Sequence, residues 1–177
     1  TNLTGTMIVN EGDIIEKELV SGVSYSNNEA KVTISGVPDV PGIAAKIFGV
    51  LSDNNVSVDM IVQNISQDGI KANLTFTVQA NDMKLAKEII EEHKSEINYV
   101  SLSTNADVSK ISVIGVGMKS QSGVAKKMFQ TLASKKINIL AISTSEIKIS
   151  VLINKIYTEE AVKSLHQAYK LGNNSSI

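Results

Sequence analysis

The chain has 177 residues, with 17 basic side chains against 18 acidic ones and a formal net charge of −1. Its 42% hydrophobic content supports a packed core, and no run approaches the roughly 18 consecutive apolar residues of a membrane span. The near-neutral balance argues against an electrostatic grip on nucleic acid or on an anionic membrane. The length fits one large domain or two small ones.

The missing residue types narrow the chemistry. The sequence contains no Cys, no Trp and no Arg. Thiol catalysis, disulfides and cysteine zinc sites are therefore excluded, as are bidentate guanidinium clamps. Anions are left to Lys side chains or to N–H groups at helix starts. The two histidines, His93 and His166, are far apart and each reads as a structural or solvated residue on a helix. No metal site, cofactor or catalytic residue is expected. The first residues, TNLTGTMIVNEGD, lack the basic and apolar regions of a signal peptide and begin with Thr. They read as part of a longer cytoplasmic polypeptide.

Taken in chain order, a short apolar strand at Leu19–Tyr25 comes first. Lys31-Val32-Thr33-Ile34-Ser35 then alternates as a half-buried strand. Pro38-Asp39-Val40-Pro41-Gly42 breaks it and carries a candidate helix cap. Ile43, Ile47 and Leu51, with Ala44 and Phe48 beside them, form one helical face that Asn54-Asn55 ends. Val56, Val58, Met60 and Val62 share one face of the next strand, and Ser57 and Asp59 the other. Gln67-Asp68-Gly69 marks a hairpin. Ala72, Leu74, Phe76 and Val78 alternate with Asn73, Thr75 and Thr77 in a third strand. A helix over 82–94 puts Leu85, Ile89 and Ile90 on one face, and Tyr99–Ser103 is a fourth strand. The order βαββαβ is that of a ferredoxin-like unit, an α+β fold with its helices on one sheet face.

The pattern then repeats. Shifted by 81 positions, residues 36–62 lie on 117–143 without a gap, pairing Gly36 with Gly117, Gly42 with Gly123, Phe48 with Phe129 and Leu51 with Leu132. This second copy predicts strand 110–118, helix 123–136, strands 137–144 and 148–154, and helix 158–170. It ends in the polar LGNNSSI, so its last strand is missing. The spare strand at 19–25 completes the second copy, since an open sheet edge is an aggregation hazard. The expected division is 30–105 for the first domain and 19–27 plus 108–172 for the second, with 1–18 preceding both. An RNA-binding sheet is disfavoured because Phe48, Phe129 and Tyr169 fall on helices, and Tyr25 and Tyr99 on different sheets. An acyl phosphatase on this fold lacks its arginine clamp.

GVPDVPGIAAKIF (36–48), VDMIVQNIS (58–66), GVGMKSQSGVA (115–125) and INILAISTSEIKISVLI (137–153) resemble the paired ACT domains of aspartate kinase, including its separate small subunit. The resemblance runs from Leu19 to Leu171, and Thr4-Gly5-Thr6-Met7-Ile8 is similar to the end of that enzyme's kinase domain. It implies two tandem ACT domains that bind end-product amino acids, lysine and/or threonine, for feedback inhibition of aspartate phosphorylation. It also implies a homodimer and a catalytic domain or subunit as partner. The nucleotide-binding motif of the kinase is absent, so this chain is expected to be non-catalytic.

The effector residues that the resemblance implies are Asp39, Gly42, Ala44, Val58, Gln63, Ser66 and Thr75 from the first copy, and Asn138, Ile139, Ser143 and Ser145 from the second. Ser120 and Ser122 stand where the first copy has Asp39 and Pro41, so the two loops are not equivalent. A free amino acid presents a carboxylate and an ammonium. N–H groups at a helix start suit the first, and Asp39 suits the second or a lysine side chain. Gln63, Asn138, Thr75 and Ser145 supply uncharged donors and acceptors. Taken singly, Asp39 also fits a helix cap and Gly42 a backbone turn. An ACT pair that has lost its ligand and only dimerises the holoenzyme is the alternative.

Overall fold

A computed structural model describes residues 20–67, 69–115 and 123–172. Two long strands run through its centre, β1 (Gly22–Pro38) and β4 (Ser101–Ile114). Between them lie α1 (Ile43–Asp53), β2 (Val58–Ile65), β3 (Lys71–Gln79), α2 (Met83–Glu92) and the single turn α3 (Lys94–Ile97). After β4 come α4 (Gly123–Ser134), β5 (Ile139–Thr144), β6 (Lys148–Asn154) and α5 (Thr158–Ala168). All six strands form one antiparallel sheet in the order β2-β3-β1-β4-β6-β5.

The expected spare strand is real, but it is not separate. It is the first part of β1, where Gly22–Ser26 pairs with Lys110–Ile114 of β4, while Glu29–Pro38 pairs with β3. The fourth strand expected at Tyr99–Ser103 and the strand expected from 110 are likewise one strand, β4. Each long strand thus serves two βαββαβ units. The second unit is completed by the N-terminal strand, and the two expected sheets merge into one. Tyr25 is on β1, whereas Tyr99 is buried just before β4, so neither separates two sheets. Register shifts between Ser26 and Lys31 mark where β1 passes from one unit to the other. The extra residues there return the side-chain alternation to the same sheet face.

The helices cover one face with two apolar clusters. In the first unit Ile43, Ile47 and Leu51 of α1 pack with Val32, Ile34, Leu74 and Phe76. In the second unit Val124, Met128 and Leu132 of α4 occupy the positions 81 residues on and pack with Ile111, Val113, Val151 and Ile153. Val20 and Val23, from the N-terminal strand, join this second cluster. Each fully buried aliphatic side chain contributes about 1.5–3 kcal/mol, so the repeat in sequence is a repeat in core energetics. Leu85, expected in the core, is exposed, and Ala86 is buried instead with Ile89 and Ile90. The small residue lets α2 sit close to the sheet.

The other face curls inward rather than lying open. The two outer strands, β2 and β5, approach one another. Val108, Leu152 and Met60 are buried yet belong to neither helix-covered cluster. Ser112 and Ser150 share a buried hydroxyl hydrogen bond of 2.8 Å on this concave side. The regular alternation expected for Val56, Val58, Met60 and Val62 is interrupted here. Met60 has φ 47° and lies in a bulge between Asp59 and Val62.

Candidate functional site

The loop from Asp39 to Gly42 joins β1 to α1. Gly42 is the N-cap of α1 with φ 92°, and no side chain caps that helix. Asp39 therefore does not act as the expected cap. Its N–H donates to the carbonyl of Ile70 at 2.9 Å, which ties the loop to the β2–β3 hairpin. Its carboxylate Oδ1 accepts from Gln63 Nε2 on β2 at 3.4 Å. The α1 start thus presents first-turn N–H groups, including that of half-buried Ala44, next to a carboxylate that they do not consume. The loop thus carries a donor array and an anion, chemistry complementary to the two ends of a zwitterion.

The remaining expected residues divide by position. Ser66 closes the β2–β3 hairpin, its Oγ donating to the Lys71 carbonyl at 2.6 Å. Thr75 shares a hydroxyl hydrogen bond of 3.0 Å with Thr33 on the concave face. Ser145 closes the β5–β6 hairpin with a backbone bond to Lys148 at 2.8 Å, and Ser143 faces Ser150 within it. Val58 begins β2, Ile139 begins β5, and exposed Asn138 precedes it. Ile139 lies in the row of Ile153 and Ser109, which meets β1 between Ser26 and Glu29. Asp39 follows the far end of β1, about 35–40 Å further along at roughly 3.3 Å per residue. One chain therefore brings together Asp39, Gly42, Ala44, Gln63 and Ser66, and leaves Asn138 and Ile139 apart from them. The second copy's loop, with Ser120 and Ser122, lies outside the described residues, as does the segment 1–18.

The ACT domain pattern matches residues 32–93 and again 111–169. The chain belongs to the ACT-domain family. Its relatives place it in the regulatory region of aspartate kinase. It is 46% identical over 168 residues to aspartate kinase of Pseudomonas fluorescens, a match covering 94% of the chain and 40% of that enzyme. The chain thus spans about 40% of the length of such relatives. Among solved structures, a chain of aspartokinase alpha and beta subunits superposes with TM-score 0.80 at 44% identity, covering 86% of this chain and 99% of that one. The regulatory subunit of aspartate kinase from Thermus thermophilus matches with TM-score 0.80 at 38% identity, covering 85% of this chain and 99% of that one.

The sequence reading missed a charged cluster where the two ACT units meet. Lys110 Nζ of β4 lies 2.6 Å from Glu29 Oε1 of β1 and 2.9 Å from Asp59 Oδ2 of β2. Hydrogen bonding from Lys110, opposed by partial burial, holds the Asp59 carboxyl below its ordinary value of 3.8, with help from the Met60 N–H. Burial disfavours the Lys110 ammonium, but its bonds to Asp59 and Glu29 outweigh that and keep it above its usual range. Beside them, the Thr77 hydroxyl is buried with no hydrogen-bond partner among the described residues. Glu29 was the available signal, because a carboxylate in the middle of a strand needs a partner.

Proposed function

We propose that this chain senses an end-product amino acid, lysine and/or threonine, at the loop that opens α1, and relays its occupancy to the catalytic part of an aspartate kinase. The observation that carries this reading is the Asp39–Gln63 pair set beside an α1 start that no side chain caps. Loop N–H groups receive the ligand carboxylate, and Asp39 receives a cation, either the ammonium or a lysine side chain. Asn138 and Ile139 stand too far along the strands to close the same pocket. A second copy of the chain supplies them, so the complete site belongs to a homodimer. Exposed Ile61 and Ile65 on β2, and Leu140 and Ile142 on β5, give the outer strands an apolar surface for that association. No helix among the described residues is long and apolar enough to cross a membrane.

A thermal-shift panel of the common amino acids tests the proposal. At about 100 times the dissociation constant, linkage adds roughly 2.7 kcal/mol, which raises the melting temperature by about 5–10 °C. Light scattering run on the same samples reads the dimer. A dimer that no amino acid stabilises would establish the alternative, an ACT pair that serves association alone.

A further inference from the structure

Lys110 lies on β4 and Asp59 on β2, with β3 and β1 between them. Lys110 is level with Ser26 of β1, whereas Asp59 is level with Thr77 and through it with Lys31. Three strand spacings amount to about 14 Å in a flat sheet, and this lengthwise offset adds to them. Two side chains rising from a flat sheet would not meet across such a diagonal. Their atoms are nevertheless 2.9 Å apart, so the pair exists only because the sheet is curled. The same curl brings β2 towards β5, and each of these strands carries a bulge near its start, after Asp59 and after Ile139.

The three members of the cluster are held unequally. The Glu29 side chain is 9% exposed and fixes Lys110 from β1, in the strand next to its own. The Asp59 side chain is 57% exposed and sits on an outer strand. Its second oxygen accepts the Met60 N–H at 2.8 Å, which aims the carboxylate from the bulge, and Lys148 adds attraction from β6. We propose that the Lys110–Asp59 ion pair is a latch that fastens the curl which strand twist creates, and so narrows the separation of the outer strands of the two ACT units. Glu29 is its fixed post and Asp59 its moving arm. An ion pair with one partner this exposed is weak and screened by salt, as befits a contact that opens. Opening it frees β2 to swing away from β5 and uncovers the concave face that holds Thr77. The latch requires no particular effector.

Electron paramagnetic resonance tests it on the full chain. The protein has no cysteine, so Ser57→Cys with Asn138→Cys places one spin label before β2 and one before β5. Dilution with unlabelled chain leaves only intrachain coupling. Strong dipolar broadening is expected in the doubly labelled parent and a clear decrease in Asp59→Asn, where the amide oxygen still accepts the Met60 N–H. Lys110→Met should behave like Asp59→Asn, and Lys110→Arg should restore the broadening. At about 1 M salt, where screening acts over about 3 Å, the parent should move towards Asp59→Asn while that variant stays unchanged. Broadening undiminished in folded Asp59→Asn would overturn the latch. An equal salt response in parent and variant would do the same.

Discussion

The Tyr169 hydroxyl donates a 2.7 Å hydrogen bond to the carbonyl of Val124, joining the end of α5 to the first turn of α4. Lys127 Nζ lies 5.3 Å from the centre of the same ring. The two helices that cover the second unit are thereby fastened at one point, over the cluster that the N-terminal strand completes.

Burial pushes the Tyr169 phenol up to about 12 from its ordinary 10.0. Its neutral form is therefore favoured in the folded state. The unfolded chain ionises first, near pH 10, so stability falls as pH rises from about 10 towards 12. Discounted for solvent exposure, the loss attributable to this group is about 1 kcal/mol. Tyr169→Phe should lower stability at pH 7 by about 1 kcal/mol through the lost bond. It should also flatten the alkaline decline, as read by urea denaturation at pH 8, 10 and 11.

Gly36 and Gly42 both have positive φ, yet they should respond differently to a methyl group. At Gly36, φ 72°, a Cβ would lie 2.5 Å from Val100 Cγ2. At Gly42, φ 92°, it would meet nothing within 4 Å. Gly42→Ala should cost only the left-handed penalty, about 1–2 kcal/mol. Gly36→Ala adds overpacking, for about 2–5 kcal/mol in total. Equal losses in thermal denaturation would show that Val100 yields freely.

Val20 is buried in the second cluster although it lies 91 residues before the next buried member, Ile111. Val20→Ala with Val23→Ala should cost about 1–3 kcal/mol. Hydrogen exchange should accelerate across β6 and α5 before it does so across α1 and β3. Uniform acceleration in both units would show that the shared strands make the two units a single cooperative body.

Asp39→Ala should leave the melting temperature of the free protein within about 1 °C, since its carboxylate caps no helix and holds only a long bond to Gln63. The shift induced by lysine or threonine should fall by most of its value. An unaltered shift would move the pocket elsewhere. Because capping is not lost with the side chain, the bare melting temperature and the ligand-induced shift can be read separately.

The helical periodicity of Ile43, Ile47 and Leu51, repeated at Val124, Met128 and Leu132, together with the strand alternation around it, was enough to determine two βαββαβ units, because burial follows local spacing. The missing last strand of the second unit, with one spare at the N-terminus, was enough to imply the swap. The fusion of four expected strands into β1 and β4 was not legible. Their polar middles read as breaks, yet both halves continue in one direction when each is needed by a different unit. The cap assigned to Asp39 failed for a related reason: chain position allows a cap, but the hairpin carbonyl of Ile70 and the Gln63 amide decide where the loop lies. Curling was decided only by the tertiary structure. Sequence alternation assigns Asp59, Thr77 and Lys110 to a polar face, but whether that face meets water or itself depends on twist accumulated over six strands. The Glu29–Lys110–Asp59 cluster joins residues from β1, β4 and β2, and its energy exists only once that twist has brought them together.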